Sequence, residues 1–196
     1  AEDLAANSVT VSEITNGAVT TAKIADNAVT SSKLAGVATT LTEVATTSGT
    51  THDFTVPNTA KVIYVSLMGL SFSGSGDTVM LQIGDAGGIE TSGYNSAVAY
   101  VGGGHANNGD NYNSGTTSNG FFIYFAADPS DVLYGHAIIV NGGGNKFTCS
   151  AQINSGAYIG NGAGYKQLSA PITTVRLTTV NGRTFDAGAV NVTYVE

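Results

Sequence analysis

The chain has 196 residues, a formal net charge of −7 at pH 7 and a single cysteine, Cys149. No other Lys or Arg occurs between Lys61 and Lys146, so the sequence lacks the basic cluster that binding to nucleic acid or to an anionic membrane surface requires. One cysteine excludes an intrachain disulfide and a multi-cysteine zinc site, and we expect Cys149 to be a buried apolar thiol.

The composition indicates β-structure that does not insert into a membrane. Glycine is abundant (26 residues), tryptophan is absent and charged residues make up 11%, which is typical of strands joined by many glycine turns. No apolar stretch approaches the length that spans a bilayer. The segment AEDLAANS at residues 1–8 lacks the features of a signal peptide and leads into a repeat already in register, so we expect a soluble piece of a longer protein.

Residues 7–36 repeat one ten-residue unit three times, as NSVTVSEITN, GAVTTAKIAD and NAVTSSKLAG. We predict that each unit forms an extended step followed by one helical turn. Such a short unit cannot bury its own apolar side chains, so we expect identical chains to associate in parallel about an axis. The expected contacts of this stalk, residues 1–36, are Leu4, Val9, Ile14, Val19, Ile24, Val29 and Leu34. The alternative is a disordered linker rich in Thr, Ser and Ala.

Residues 37–50 are predicted to be a connector, and residues 51–196 a β-domain. Short apolar runs with glycine-rich turns and no long helix predict a mainly β fold, an antiparallel β-sandwich of jelly-roll type. The runs are KVIYVSLMGL (61–70), TVMLQIG (78–84), GFFIYFAA (120–127), VLYGHAIIVN (132–141), NKFTCSAQI (145–153), ITTVRLTTV (172–180) and GAVNVTYV (188–195). The runs at 61–70 and 120–127 are apolar at successive positions, as strands covered on both faces are. Val79, Leu81 and Ile83 are expected to share one face of their strand.

Two stretches rich in Gly, Asn and Ser, residues 101–120 and 154–167, predict long loops. Long loops in a compact domain are often functional, and binding residues gather on loops carried by a rigid scaffold. These two supply the aromatic, amide and carboxylate groups that recognise saccharides. The candidate glycan-binding residues are His105, Asn107, Asn108, Asp110, Tyr112, Asn113, Tyr158, Asn161 and Tyr165. Each of them taken singly is equally compatible with a solvated or packed loop residue.

The sequence carries no motif of a catalytic site. Dinucleotide, phosphate-loop, serine-nucleophile and zinc-helix motifs are absent, and we expect no catalytic residue, no metal and no cofactor. Asp77, Asp85, Glu90 and Asp110 could supply the carboxylate pair that glycan cleavage needs. The three aspartates, however, lie in glycine-rich turn sequences, which favours a structural role.

A structural role is also predicted for His136 and for the segment QIGDAGGIE. His136 alternates with Tyr134 and Ile138, which favours a packed and hydrogen-bonded strand histidine, and His52 is expected at the surface. In QIGDAGGIE we expect positive φ at the glycines, Gly84, Gly87 and Gly88, and Asp85 as the cap of the turn.

Two stretches resemble proteins of bacteriophage tails. VTTAKIADNAVTSSKLAG resembles the short repeats of tail fibres, whose chains are trimeric. MLQIGDAGGIETSGY (80–94) and VRLTTVNGRTFDAGAVNVTYVE (175–196) resemble the C-terminal domain of tail fibre and tail spike proteins, often the host-binding tip. The resemblance implies a homotrimer located in the tail fibre of a virion. Its implied partners are other virion tail proteins and a bacterial surface polysaccharide or lipopolysaccharide.

Two other functions remain open from the sequence. A purely structural virion protein would use the sandwich as a trimerisation tip and leave binding to another subunit. A polysaccharide depolymerase would need a carboxylate whose loss abolishes product release without loss of binding. The adhesin without catalysis is the function that we expect.

Overall fold

The computed structural model describes residues 19–25, 28–29, 33–34, 36–74, 76–102, 112–156 and 158–196. The chain divides into two compact units, Ala1–Val37 and Ala38–Glu196. Among the described residues, no helix is both long enough and apolar enough to cross a membrane.

The first unit contains a 3-10 turn at Thr21–Lys23. A hydrogen bond of 2.9 Å from Lys23 N to the Thr20 carbonyl oxygen closes this turn. This agrees with the helical turn predicted for the second repeat unit. The apolar residues of the repeat that the structure describes are all exposed: Val19, Ile24, Val29 and Leu34. The other predicted stalk contacts lie outside the described residues: Leu4, Val9 and Ile14.

The second unit is built from strands. Those within the described residues are β1 (Ala38–Thr40), β2 (Val44–Ala45), β3 (Thr51–Thr55), β4 (Val62–Phe72), β5 (Asp77–Asp85), β6 (Gly88–Ile89), β7 (Asn95–Gly102), β8 (Tyr112–Thr117), β9 (Phe121–Ala127), β10 (Leu133–Asn141), β11 (Lys146–Asn154), β12 (Tyr158–Gln167), β13 (Thr174–Thr179) and β14 (Phe185–Val195).

These strands form two antiparallel sheets, which confirms the predicted mainly β sandwich. The larger sheet has nine strands in the order β1-β14-β4-β10-β11-β12-β7-β8, with β2 also paired to β14. The smaller sheet has five strands in the order β3-β13-β5-β6, with β9 also paired to β5. Within the described residues the sandwich is therefore larger than the eight strands of a simple jelly roll.

The segment predicted to be a connector, residues 37–50, is part of the larger sheet. β1 pairs with the end of β14 through Ala38 and Val195, and β2 pairs with the middle of β14. Thr46 is buried and its hydroxyl donates a bond of 2.8 Å to the Ala187 carbonyl oxygen. The second unit thus begins at Ala38 and not at residue 51, because the exposed edge of β14 accepts these strands.

One hydrophobic core lies between the two sheets. Its fully buried members include Ile63, Leu67, Ile139 and Phe147 from the larger sheet and Leu81, Ile83, Phe121 and Leu177 from the smaller sheet. Cys149 is buried in the same core, as predicted, and burial raises the pKa of its thiol to about 12.

The two strands predicted to be covered on both faces differ in their burial: residues 121–124 of β9 are all buried, as predicted, whereas β4 is covered on one face. In β4 buried and exposed residues alternate, and Tyr64 and Met68 face solvent, so the expectation that residues 61–70 are covered on both faces is wrong. All nine residues of β5 are buried. Leu81 lies in the main core, whereas its neighbour Met80 packs in a smaller cluster on the other face of the strand.

Part of each stretch predicted to be a loop is a strand. β8 takes up residues 112–117 and β12 takes up residues 158–167. Three inward positions of β12 are glycines, and a Cβ at Gly160, Gly162 or Gly164 would overlap the Tyr124 ring, the Phe122 carbonyl oxygen or the Phe121 ring of β9. These glycines therefore permit close approach of two strands, which is why the loop prediction for residues 154–167 is wrong.

The turn of QIGDAGGIE is stabilised as predicted by Asp85, which accepts a bond of 2.8 Å from Gly87 N. Of its three glycines only Gly88 has a positive φ, of 113°. Gly84 serves a different purpose, because a Cβ there would overlap the backbone of Gly88 across the turn.

Candidate binding face

The outward side chains of the larger sheet form four rows that run across β4, β10, β11, β12 and β7. We call these rows together the outer face. Row 1 is Met68, Tyr134, Asn154, Ile159 and Val101; row 2 is Ser66, His136, Gln152, Asn161 and Ala99; row 3 is Tyr64, Ile138, Ser150, Ala163 and Ala97; row 4 is Val62, Val140, Thr148, Tyr165 and Asn95. None of these residues is an Asp, Glu, Lys or Arg.

The outer face exposes seven large apolar side chains. Tyr134 is 50% exposed, Met68 57% and Ile159 53%, and all three stand in row 1. The other exposed large apolar side chains of the outer face are Tyr64, Val101, Val140 and Tyr165. Contiguous apolar surface on a soluble protein marks a place where it binds something.

Polar groups without an internal partner lie beside this apolar surface in row 2. Within the part of the chain that the structure describes, the side chains of His136, Gln152 and Asn161 make no hydrogen bond to protein. The row continues onto β14 at Asn191, which is paired with Ser66; its side-chain oxygen is buried and has no hydrogen-bond partner among the described residues. Row 2 therefore presents imidazole and amide groups that a ligand can bind.

Two shallow depressions meet at row 2. The first has a volume of about 370 Å³ and is lined by His136, Ile138, Ser150, Gln152 and Asn161. The second has a volume of about 350 Å³ and is lined by Tyr134, His136, Gln152, Asn154 and Ile159. His136 and Gln152 thus belong to both, and the two depressions follow one another along β10 and β11.

The backbone beneath the second depression depends on a glycine. The pairing of β10 with β4 shifts between Leu133 and Tyr134, and the next residue, Gly135, has a φ of 149°. A Cβ at Gly135 would overlap the carbonyl oxygen of Gln152. Glycine at this position therefore lets β10 lie close against β11.

The structure separates the sequence-predicted binding residues. Asn161 and Tyr165 lie on the outer face, in rows 2 and 4. Tyr158 is half-buried, and its ring lies 5.4 Å from the ring of Tyr100 in an edge-to-face contact. Tyr112 and Asn113 begin β8, where they pair with Val101 and Tyr100. Four further candidates lie outside the described residues: His105, Asn107, Asn108 and Asp110.

His136, which the sequence predicted to be packed, is exposed on the outer face and lines both depressions. Sequence reasoning also missed Gln152. The signal was present in KFTCSAQIN, where polar residues at every second position indicate one exposed face. His52, expected at the surface, is half-buried, and its ring lies 5.4 Å from that of Phe185.

Of the four carboxylates considered for glycan cleavage, the three that the structure describes have structural partners. Asp77 accepts bonds from Asn181 N at 2.9 Å and from Asn181 Nδ2 at 3.0 Å. Asp85 accepts bonds from Ser169 Oγ at 2.7 Å and from Ala170 N at 2.9 Å, and the Ser169 bond is the main cause that holds the pKa of Asp85 below its usual value. Both carboxylates therefore stabilise turns of the sandwich.

Glu90, the third carboxylate, forms an ion pair with Lys166, whose side chain is only 5% exposed. The Lys166 ammonium also donates a bond of 2.8 Å to the Ser92 carbonyl oxygen and lies 5.1 Å from the centre of the Tyr94 ring. Burial raises the pKa of Tyr94, whose hydroxyl accepts a bond of 2.8 Å from Ile83 N. This network attaches the turn after β5 to β12.

A larger depression of about 550 Å³ lies at the start of β5. Its lining includes Asp77, Thr116, Phe122, Asp128 and Asn181. Asp77 and Asn181 are hydrogen-bonded to one another there. Among the described residues, no group of three His, Cys, Asp or Glu side chains is placed to hold a metal ion.

Comparisons with protein-family models, with curated proteins and with solved structures found no match to this chain. Its function is therefore inferred from its own residues and their geometry.

Proposed function

We propose that this chain is the tip of a bacteriophage tail fibre and that it adheres to a glycan on a bacterial surface without catalysis. The outer face is the observation that carries this proposal. It combines exposed aromatic and aliphatic side chains with imidazole and amide groups that have no partner within the described residues. A sugar presents an apolar ring face together with hydroxyl groups, so this mixture suits it.

The position of these groups in the sheet supports a binding function. β10, β11 and β12 are consecutive neighbours in the larger sheet, with strands on either side of them. Their backbones are therefore held by hydrogen bonds on both edges, and little conformational entropy is lost in ordering the site when a ligand binds. Side chains on a rigid sheet also keep fixed spacings, which favours a repetitive ligand such as a polysaccharide.

Association into a homotrimer is part of the proposal. Val19 is 59% exposed, Ile24 40%, Val29 48% and Leu34 51% in the single chain. Burial of these side chains against identical chains would remove apolar surface from water in every repeat unit. Three tips on one fibre, and several fibres on one virion, would multiply a weak contact with each glycan through avidity.

The experiment is a binding assay on immobilised bacterial lipopolysaccharides and capsular polysaccharides that include those of the native host. Retention of the purified chain and release of reducing ends are read from the same samples. We expect retention without release. Release of reducing ends would overturn the non-catalytic assignment in favour of a depolymerase, and absence of retention across the whole panel would overturn adhesion.

The apolar members of the outer face favour one second candidate function. Met68, Ile159 and Val101 would suit contact with another copy of the sandwich as well as contact with a sugar. In that case the second unit is a structural trimerisation tip. Sedimentation of Met68→Ser distinguishes the two functions. If the sandwich is a trimerisation tip, this substitution weakens the trimer; if the outer face binds a glycan, the oligomeric state is unchanged.

A further inference from the structure

We propose that the outer face binds an uncharged oligosaccharide that lies along β10 and β11, with consecutive sugars in the two depressions. This inference rests on the proposed adhesion to a glycan. It adds the chemical class of the glycan, the direction in which the glycan lies on the sheet and the residues that contact it. Tyr134 is the stacking platform for one sugar. Gln152 and His136 bind the junction between the sugars, and Asn161 binds the second sugar.

The size and spacing of the depressions support two sugar subsites. Each volume, about 350 and 370 Å³, lies at the small end of the roughly 300–1,000 Å³ range of ligand pockets. The second depression begins at Tyr134 and the first extends to Ile138, with His136 between them on one strand. Two residues along a strand span about 7 Å, which is comparable to the length of one hexose unit.

The direction of the ligand follows from the arrangement of the rows. Both depressions have walls from β10 and β11, and both reach β12, at Ile159 and Asn161. The two differ in their rows: one lies between rows 1 and 2 and the other between rows 2 and 3. A linear ligand that fills both must therefore run parallel to the strands, and its middle must pass His136 and Gln152.

The class of sugar follows from charge. The four rows contain no Asp, Glu, Lys or Arg, so a uronic acid or a phosphorylated sugar would lose hydration without gaining an ion pair. Lys146 begins β11 outside the four rows, beyond Thr148. The formal net charge of −7 also repels anionic polysaccharides as a whole. Uncharged hydroxyl groups, by contrast, match the amides of Gln152 and Asn161.

The stacking role is assigned to Tyr134 because of its exposure and position. It is 50% exposed and forms one wall of the second depression, with Ile159 on another. Tyr165 offers a matched comparison, because it is a second exposed tyrosine of the outer face but lines neither depression. The inference therefore predicts different behaviour for two tyrosines on one surface.

The test uses the full chain and measures binding to two sets of bacterial polysaccharides, one composed of neutral sugars and one that carries uronic acids or phosphate. We expect binding to members of the neutral set only. Tyr134→Ala, Gln152→Ala and Asn161→Ala should each weaken that binding by about three- to tenfold, as expected for loss of one hydrogen bond or one stacking contact. Tyr165→Ala, on the outer face but in neither depression, should weaken binding less than Tyr134→Ala does. Thr51→Ala, an exposed residue of β3 in the smaller sheet, is the control and should bind within about twofold of the parent chain.

The outcomes separate this inference from the function on which it rests. Binding that is confined to acidic polysaccharides would overturn the inference and leave adhesion standing. The inference would also be overturned if binding survived the triple substitution of Tyr134, Gln152 and Asn161 by Ala, or if Tyr165→Ala alone abolished binding. No binding to either set would instead overturn adhesion itself. Thermal unfolding and sedimentation that are unchanged in each variant establish that the weaker binding comes from a lost contact and not from a lost fold. His136→Gln is a further variant at the junction of the two depressions, and its side chain retains hydrogen-bonding capacity.

Discussion

The ion pair between Lys166 and Glu90 allows a quantitative test of how the turn after β5 is held. Lys166 is 5% exposed and Glu90 30% exposed at their side chains. The substitution Glu90→Gln removes the negative charge and keeps the size of the side chain. It leaves the Lys166 ammonium with the Ser92 carbonyl oxygen and the Tyr94 ring as its remaining partners.

The magnitude follows from the burial of the two partners. Removal of one partner from a fully buried ion pair costs about 3–5 kcal/mol, and the exposure of Glu90 reduces this value because solvent screens the pair. We expect Glu90→Gln to lower the free energy of unfolding by about 2 kcal/mol, since a buried cation stays behind. Lys166→Met should cost only about 1 kcal/mol, because the carboxylate left behind can be hydrated and the aliphatic stem is conserved.

The assay is urea unfolding at one protein concentration and one salt concentration, because association shifts the apparent stability. Glu43→Gln serves as the control, since Glu43 is an exposed carboxylate outside the core. The double variant should lose less than the sum of the single losses, as coupled partners do. The reasoning would be refuted if Glu90→Gln behaved like the control, or if Lys166→Met were the more damaging of the two.

Four further predictions concern other parts of the molecule. The pKa of Asp85 is lower in the folded than in the unfolded chain. Ionised Asp85 therefore stabilises the fold above its ordinary pKa, and this stabilisation is lost as the pH falls through the folded pKa. Ser169→Ala removes a hydrogen bond to Asp85 and should raise the pH at which acid unfolds the chain, as measured by circular dichroism. Gly162→Ala should lower the free energy of unfolding by about 1–3 kcal/mol in thermal or urea unfolding, because its Cβ overlaps β9. Cys149 should resist alkylation at pH 8 until the chain is unfolded, since the pKa of its thiol is about 12. Ile24→Asp should shift sedimentation from trimer toward monomer, because the proposed stalk would bury that carboxylate.

Several residues of the β-domain could be predicted from the sequence because their roles are local. Asp85 caps its own turn two residues later, and the turn chemistry of GDAGG is sufficient to predict that. The alternation of Val79, Leu81 and Ile83 correctly placed these residues in the core. Cys149 was predicted to be buried from the alternation of its own strand. In each case the evidence lies within a few residues of the site.

Other features escaped prediction because they depend on strands distant in sequence. The glycines of β12 look like loop residues until β9 is placed against them. Residues 38–45 look like a linker until the edge of β14 is available to pair with them. Lys166 lies in a glycine-rich segment, and nothing near it in the chain indicates that its partner is Glu90.

The sequence by itself determined the mainly β class and the exclusion of a disulfide, because periodicity and composition express themselves within short segments of chain. It did not determine which face of each strand meets solvent. A strand such as β4, apolar at most of its positions, could be covered on both faces or on one. Only the tertiary structure decided this, because the smaller sheet covers a single face of the larger sheet. Because the other face of the larger sheet is left uncovered, Tyr134, His136 and Gln152 are exposed together, and the outer face is the candidate binding site.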